Sequence, residues 1–296
     1  MLSISQTSRG FFCIEWVSTE KGPMIINLEH VKLNLDFKNK NDLSDILELY
    51  KSKVKSESKS LSIVLDSSHL SLSGMEVLDS NDKNKNIIDW NESNILGSDF
   101  CKNHYNYYFP FYSNKLSNYL GVYLPRNIKD NILNCSLELG YELRYLSIDI
   151  FSAALGAKQI FNNEINDEYL IWKICNNNSH RLVLYDGYKL KAYVELYKKN
   201  DKYISRLYVG SSIYKELLIN CVNEIVINKS NFHRFKNIYI YQTMQSRLNI
   251  NKIVDLNFKN IKVLNFNKII DKTKDYNPLK FVSYVENGIA FKGLDI

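Results

Sequence analysis

The sequence predicts an α/β protein of two similar lobes, with a smaller subdomain inserted into the first. Apolar runs with the period of strands alternate with amphipathic helical runs, and both halves begin with strands joined by tight turns and continue to a helix. The 296 residues are enough for about two domains. The predicted boundaries are residues 1–60 and 142–165 for the first lobe, 61–141 for the inserted subdomain and 166–296 for the second lobe.

Composition excludes several protein classes. Hydrophobic residues make up 45% of the chain and charged residues 24%, which is typical of a globular protein and argues against disorder or a coiled coil. The net charge of +6 is small for this length, so we expect no nucleic-acid partner. No apolar run is long enough to span a bilayer and the first residues lack a signal-peptide pattern, which predicts a cytoplasmic protein without a membrane span.

The cysteines and histidines form no recognisable site. Five of each are dispersed singly along the chain, without a C-x-x-C pair. We therefore expect neither a bound metal nor a disulfide framework, and the cysteines are expected to be small core residues.

The first half predicts strands and helices in a clear order. Residues 11–17 and 24–35 are rich in β-branched and aromatic residues and predict a hairpin, which an amphipathic helix behind Asp42 then covers. Residues 61–141 predict a compact β-β-α-β-β-α unit, whose last helix ends at Gly140. A strand and an alanine-rich helix follow.

The second half starts again with strands. Asp186 and Gly187 separate two alternating runs, which is typical of a two-residue hairpin turn because glycine tolerates a positive φ. A helix begins near Ser212, and further strands follow. This repeated order is expected of duplicated ribonuclease-H-like lobes, which meet at a cleft.

Several segments, taken in order, resemble the PilM-type actin-like proteins of type IV pilus assembly and the related cytoplasmic part of the type II secretion platform protein. Residues 13–18 (CIEWVS) lie where that family has its first phosphate-binding turn, and residues 89–92 (DWNE) resemble the Trp-Glu helix of its inserted subdomain. Residues 140–149 and 288–292 resemble two further family segments. The resemblance implies a two-lobed actin-like fold in which residues 61–141 form the inserted subdomain.

The nucleotide site that this resemblance implies departs from the family pattern. An ATPase of this fold binds phosphates with two hairpin turns, in which Gly lets the backbone approach the phosphate and Asp orients Mg²⁺ through water. Glu15 and Val17 replace Asp and Gly in the first turn, and Lys173 and Cys175 replace them in the second. A third element, which needs two glycines, falls on residues 240–243 and has none. The implied degenerate nucleotide-binding set is Glu15, Val17, Ser18, Lys173, Cys175, Ser179, Gly210 and Gln242.

Two interpretations of this set stay open. Loss of the carboxylates and glycines predicts a pseudo-ATPase with no catalytic residue and no resident cofactor. Alternatively, ATP with Mg²⁺ is still bound and Lys173 contacts a phosphate as a point charge. Lys173 would also suit an ordinary strand position if the register were shifted.

The resemblance further implies a partner, the short cytoplasmic tail of a single-pass inner-membrane protein, docked in a groove between the first lobe and the inserted subdomain. Aromatic residues are dense at 105–112, as in surfaces that capture extended peptides, and the residues assigned to partner binding are Trp90, Tyr107 and Phe109. The same aromatics would also suit core positions of paired strands, and Trp90 with Glu92 would suit a packing and capping pair.

The predicted function is a cytoplasmic scaffold of a type IV pilus or related secretion machine, held at the inner membrane through its tail partner and other platform components, with oligomerisation left open. The alternative is an enzyme, either an active actin-like ATPase or a sugar-kinase-like phosphotransferase, which would need the missing Asp and Gly residues. A nuclease ranks last, because it needs several carboxylates converging on two metals and only Glu15 lies near the expected place.

Overall fold

The computed structural model shows two lobes, each built on one mixed sheet, and a three-stranded subdomain attached to the first lobe. No helix within the described ranges is long and apolar enough to cross a bilayer. The structure describes residues 1–7, 9–20, 22–77, 96–111, 117–161, 167–176, 178–243, 250, 253, 256, 258–266, 269 and 282–293.

The first lobe contains a five-stranded sheet in which three antiparallel strands lead into two parallel ones. Its strands, in the spatial order β3-β2-β1-β4-β8, are β1 (Leu2–Thr7), β2 (Gly10–Thr19), β3 (Gly22–Val31), β4 (Ser60–Leu65) and β8 (Glu142–Ile148). β1, β4 and β8 run parallel, so their carboxyl ends lie at one edge of the sheet. Helix α1 (Asp42–Lys53) connects β3 to the region before β4 and buries its apolar face against the sheet.

The second lobe repeats this plan. Its sheet has the order β12-β11-β10-β9-β13-β14, and its strands are β9 (Glu168–Asn176), β10 (Ser179–Asp186), β11 (Lys189–Lys199), β12 (Lys202–Gly210), β13 (Asn237–Gln242) and β14 (Ile261–Val263). The antiparallel strands β11-β10-β9 and the parallel strands β9-β13-β14 match the arrangement in the first sheet, and β12 is an added edge strand. The predicted two-lobed α/β fold is therefore confirmed.

The inserted subdomain is smaller than its predicted extent. It consists of β5 (Ser71–Val77), helix α2 (Ser98–Asn103), β6 (His104–Phe111) and β7 (Ser117–Pro125), with the sheet order β5-β7-β6. The strand at residues 60–65, which the sequence placed in this unit, instead pairs with β1 and β8 in the first sheet. Local pattern identifies a strand but not its neighbours, and this assignment was wrong for that reason.

The helices form layers on both faces of the two sheets. α1 and α3 (Arg126–Glu138) cover the outer face of the first sheet, and α5 (Ser212–Val222) covers the second. α4 (Asp149–Ile160) and a C-terminal 3-10 helix (Val282–Gly293) contribute to the core shared by the lobes. Strands covered on both faces explain the near-continuous apolar runs of β2 and β9.

α4 and the C-terminal 3-10 helix cross at two glycines. A Cβ built on Gly288 would lie 2.3 Å from the carbonyl oxygen of Ser152 and 2.5 Å from the backbone nitrogen of Gly156. A Cβ on Gly156 would lie 2.5 Å from the ring of Phe266. The crossing thus requires the absence of side chains at both positions, and it brings the helix that follows the first sheet into contact with the end of the chain.

Candidate functional site

Two hairpin turns, one from each lobe, border a cavity between the sheets. The β1–β2 turn follows Thr7, and the β9–β10 turn joins Asn176 to Ser179. Side chains at both turns line this cavity of about 180 Å³, together with Asp66 after β4 and Thr243 after β13. The carboxyl ends of parallel strands from both sheets therefore converge here, which is where ligands bind in open α/β sheets.

Lys173 of β9 lies in the wall of this cavity and makes three ionic contacts. Its Nζ lies 2.6 Å from Asp149 Oδ2, 2.6 Å from Glu286 Oε1 and 3.5 Å from Asp66 Oδ2. The side chain is only 1% exposed. Its ammonium group is thus enclosed by carboxylates and has little access to solvent.

Arg181 of β10, paired with Lys173 across the hairpin, extends the same network. Its Nη1 lies 3.2 Å from Asp149 Oδ2 and 3.9 Å from Asp66 Oδ1, while its Nε lies 3.3 Å from Glu195 Oε1. We call the six residues of this network the charge cluster: Asp66, Asp149, Lys173, Arg181, Glu195 and Glu286.

Hydrogen bonds from the backbone and a hydroxyl fix Asp149 as the centre of the charge cluster. Its Oδ2 accepts from the backbone N–H of Ser67 at 3.1 Å and from the Ser67 hydroxyl at 2.7 Å, and its Oδ1 accepts from the N–H of Ile150 at 2.6 Å. Burial alone would raise the pKa of Asp149, but the charges of Lys173 and Arg181 outweigh burial and hold this pKa below its ordinary value. Asp149 is therefore a buried anion at neutral pH.

Glu286 behaves differently from Asp149. Burial raises its pKa to about 7, because the contact with Lys173 does not offset burial and the nearby negative charges of Asp149 and Asp66. The pKa of Lys173 is driven well above its ordinary value, since its carboxylate neighbours together outweigh the effect of burial. The Lys173 ammonium group thus contacts three carboxylates. Glu286 is the least stabilised as an anion, and its pKa lies near neutrality.

The residues around the cavity do not fit a magnesium nucleotide. The cavity of about 180 Å³ is below the roughly 300–1,000 Å³ of pockets that enclose a small-molecule ligand. Four carboxylates face two cations in the charge cluster, so a polyphosphate would meet an excess of negative charge. The two cations that might have bound phosphate already contact carboxylates.

The structure brings together most of the predicted site residues of the second lobe. Lys173, Cys175 and Ser179 all line the cavity. Gln242 ends β13 opposite Ile174, next to Thr243 in the cavity wall. Their assignment to a degenerate nucleotide site stays a prediction, because position alone does not establish that role.

The residues predicted for the first turn lie elsewhere. Glu15, Val17 and Ser18 belong to β2, whose far end pairs with β3, and the β1–β2 turn comes earlier, between Thr7 and Gly10. Glu15 Oε2 accepts a hydrogen bond from Asn27 Nδ2 at 2.6 Å and its Oε1 one from the Ser56 hydroxyl at 2.9 Å. Glu15 is five residues from Gly10, which is about 17 Å along a strand. The predicted register was wrong because β1 had not been recognised as a strand.

Gly210 also lies away from the cavity. It ends β12 with a φ of +133°, and a Cβ there would lie 2.5 Å from the carbonyl oxygen of Lys191. Its own carbonyl accepts a hydrogen bond from Asn118 Nδ2 of the inserted subdomain at 3.2 Å. The glycine is needed for close packing between β12 and its neighbours, not for contact with a ligand.

The residues predicted for partner binding have different outcomes. Trp90, and Glu92 beside it, lie outside the described residues. Tyr107 and Phe109 of β6 line a cavity of about 880 Å³ between the inserted subdomain and the first lobe, which we call the groove. Tyr107 is 39% exposed, whereas Phe109 is partly buried and stacks on Phe151 of α4 with ring centroids 5.3 Å apart. Phe109 thus lines the groove and also packs against the core.

Three parts of the molecule form the walls of the groove. The first lobe contributes six consecutive residues of β8, from 143 to 148, and the inserted subdomain contributes β6. The second lobe contributes the tip of the β10–β11 hairpin through Tyr185, Tyr188 and Leu190. Two cationic side chains, Lys129 and Arg144, lie along an otherwise largely apolar lining.

Sequence reasoning missed five members of the charge cluster, namely Asp66, Asp149, Arg181, Glu195 and Glu286. A signal was present for two of them, since Asp66 and Asp149 each directly follow a strand of the first sheet. Carboxylates after parallel strands are expected at the same sheet edge. No local pattern indicates that Glu286, near the end of the chain, meets them.

Comparison with known proteins identifies the fold. No family model and no curated protein matches the sequence.

The PilM-PilN type IV pilus biogenesis complex matches 100% of this chain and 98% of that chain, with a TM-score of 0.67 and 12% identity. The cytoplasmic domain of EpsL, an inner membrane component of the Vibrio cholerae type II secretion system, matches 90% of this chain and 98% of that chain with a TM-score of 0.45 and 10% identity. A protein of Bacteroides thetaiotaomicron with an actin-like ATPase fold matches 91% of each chain, with a TM-score of 0.45 and 11% identity. At such identity the first match establishes the fold alone, and the chain therefore has the two-lobed actin-like fold of PilM, as the resemblance predicted.

Proposed function

We propose that this chain is a cytoplasmic scaffold of a type IV pilus or related secretion machine. Its groove docks the short cytoplasmic tail of a single-pass inner-membrane protein, and this contact holds the chain at the membrane. Its nucleotide site has lost turnover, so the protein acts by binding. The observation that carries this proposal is the groove, where an apolar lining lies between two sheet edges.

The shape of the groove suits an extended peptide. Successive side chains of a strand point to opposite faces, so a cavity that contacts six consecutive residues of β8 runs along the edge of the strand and not over one face. Among the described strands β8 pairs only with β4, and β6 pairs only with β7. A peptide added to the β8 edge would gain backbone hydrogen bonds there and side-chain contacts with the apolar lining, over about seven residues or 23 Å.

The charges at the groove indicate the chemistry of the tail. Lys129 and Arg144 are its two cationic lining residues, and no acidic side chain lines it within the described part of the chain. Lys129 Nζ lies 4.0 Å from the ring centroid of Tyr105, which orients this cation. We therefore expect a tail with apolar residues at alternate positions and at least one acidic residue, which would replace the exposed Glu142 as the partner of Arg144.

One of the comparisons supports this proposal. A solved structure that shares this fold is the PilM-PilN type IV pilus biogenesis complex, and a complex is the state in which a scaffold acts. Loss of ATP turnover is supported by the charge cluster, because Lys173 and Arg181 already contact carboxylates. An active ATPase of the kind that the sequence resembles would need an Asp at position 173 to orient Mg²⁺.

Binding of a tail peptide tests the proposal. A labelled synthetic peptide of about seven residues, with apolar residues at alternate positions and one acidic residue, is titrated by fluorescence anisotropy. Tyr107→Ser is expected to weaken binding by roughly 1–2 kcal/mol, or about 5- to 30-fold. Tyr197→Ser is the matched control, because Tyr197 is 38% exposed and lies on β11 outside the groove. Equal affinities of the two variants, or no binding by the wild-type chain, would contradict the proposal.

A charge reversal provides a second arm of the same experiment. Arg144→Glu is expected to weaken binding of the tail peptide. Arg206 is exposed on β12 outside the groove, so Arg206→Glu is expected to bind the peptide like the wild type. The difference between the two variants is expected to shrink at high salt, because exposed charges are screened. A loss that is the same for both variants would indicate only a general effect of net charge.

A further inference from the structure

The charge cluster connects parts of the chain that belong to different lobes. Asp66 follows β4 and Asp149 begins α4, and both come from the first lobe. Lys173 and Arg181 come from the first two strands of the second lobe. Every ion pair between these two groups therefore crosses from one lobe to the other.

We infer that the charge cluster takes the place of a bound nucleotide as the link between the lobes: Lys173 and Arg181 hold Asp66 and Asp149 across the cleft. The resemblance implies that in a related ATPase the phosphates are bound by two hairpin turns, and here these turns come one from each lobe. Here the second hairpin supplies the cations itself, and the first lobe supplies the anions.

The position of the contacts supports this inference. Lys173 lies three residues before the β9–β10 turn and Arg181 two residues after Ser179, so both cations belong to the hairpin that borders the cavity. Asp149 is fully buried and its carboxylate is oriented by the N–H groups of Ser67 and Ile150. The anion is thus held in place before it meets the cations, which limits the entropy lost when the lobes close.

A second contact ties the C-terminal 3-10 helix to the first sheet on the same side. The Ser3 hydroxyl donates to Asn287 Oδ1 at 2.7 Å, and Asn287 Nδ2 donates to the Ser5 hydroxyl at 2.7 Å. Asn287 is the neighbour of Glu286, which contacts Lys173. The helix therefore binds both the first sheet and the cation of the second lobe, and it completes the link.

Amide hydrogen exchange tests this inference on the full chain. Exchange of residues 149–160 and 282–293 is followed by mass spectrometry for the wild type and for the double variant Lys173→Met/Glu286→Gln, which removes one charge of each sign. Lys236→Met, whose side chain is 80% exposed in the second lobe, is the control. Each protein is measured with and without Mg-ATP, and circular dichroism verifies the fold. Since no peptide is used, failure of this inference is separable from failure of tail docking.

The expected result is exchange at least tenfold faster in both segments of the double variant, with Lys236→Met equal to the wild type and Mg-ATP without effect on the wild type. Unchanged exchange in a folded double variant would overturn the inference, as would slower exchange of the wild type in Mg-ATP. If the double variant does not fold, Arg181→Gln is measured in its place. Arg181 is partly solvent-exposed, and its replacement removes its ion pairs with Asp66 and Asp149 across the cleft. The same two results then decide the matter.

Discussion

Lys173 Nζ lies 2.6 Å from Asp149 Oδ2, and this buried ion pair joins the first strand of the second lobe to the helix that follows the first sheet. The pair is not isolated, because Glu286 contacts the same ammonium group at 2.6 Å. A charge removed from such a site leaves its partners buried without compensation. Changing Lys173 therefore affects both the stability of the chain and the contact between its lobes.

Replacing Lys173 alone is expected to destabilise the folded chain. Lys173→Met leaves Glu286 buried without its cation and Asp149 with Arg181 alone, so the free energy of unfolding should fall by roughly 3–5 kcal/mol. Chemical denaturation with urea measures this change. Lys236→Met, at an exposed position, should stay within about 0.5 kcal/mol of the wild type.

The double variant Lys173→Met/Asp149→Asn should recover part of this loss, since neutral partners of similar volume avoid the unpaired charge. No recovery would mean that the cost of Lys173→Met comes from packing, and the electrostatic account of the pair would fail.

Glu286 predicts a specific pH dependence. Its pKa rises from 4.5 in the unfolded chain to about 7 in the folded one, so its contribution to stability is fully present below pH 4.5 and is lost as pH rises through 7. The free energy of unfolding of the wild type, minus that of Glu286→Gln, should fall by roughly 3 kcal/mol over this range. Denaturation of both proteins at a series of pH values measures the difference.

The measurement uses the difference between the two proteins because His180 changes the free energy of unfolding with pH in the opposite direction. Burial lowers the pKa of His180 to about 3, so stability is lost as pH falls below 6.5. This term is common to the wild type and to Glu286→Gln and cancels in the subtraction. A difference that does not change between pH 4.5 and 7 would show that Glu286 stays ionised.

The charge cluster and the groove share two structural elements, which predicts coupling. α4 carries Asp149 in the cluster and Phe151 and Leu155 in the groove, while β10 carries Arg181 in the cluster and Tyr185 in the groove. Arg181→Gln should therefore lower the affinity for the tail peptide by about fivefold or more, although Arg181 does not line the groove. Fluorescence anisotropy measures the affinity. An affinity equal to that of Lys236→Met would show that the two sites are independent.

Pairing of the tail with the β8 edge predicts a pattern of sensitivity to backbone methylation. Only every second residue of an extended peptide directs its N–H toward the neighbouring strand. N-methylation at those residues should weaken binding roughly tenfold, or about 1.4 kcal/mol for each lost hydrogen bond, and methylation at the residues between them should have little effect. Competition with the labelled tail measures both series. Uniform sensitivity along the peptide would argue against strand pairing.

Sequence pattern was sufficient for the first two hairpins of the second lobe. A two-residue turn joins β10 to β11, as predicted, and Gly187 has a φ of +56°; the turn consists of Gly187 and Tyr188, because Asp186 still belongs to β10 and pairs with Lys189. Lys173 and Cys175 were placed at the correct hairpin because β9 is a long apolar run with a clear end. Strong local signals and tertiary structure agree in this part of the chain.

The first strand could not be recognised in the same way. β1 reads LSISQT, in which serines alternate with apolar residues, and the predicted strands began only at residue 11. Ser3 and Ser5 are in fact fully buried, and their hydroxyls are satisfied by Asn287, almost the whole chain away. A buried polar residue depends on a partner that periodicity does not reveal, and the error in β1 shifted the predicted turn to Glu15 and Val17.

The structure of the chain with its tail peptide tests the central claim most directly. A crystal structure of the complex is expected to show the peptide extended along the edge of β8, beside residues 143–148 and Tyr107, with an acidic residue near Arg144 and with Lys173 still in contact with Asp149. A peptide bound elsewhere while the groove stays free, or a complex that forms only when Mg-ATP separates Lys173 from Asp149, would contradict the account.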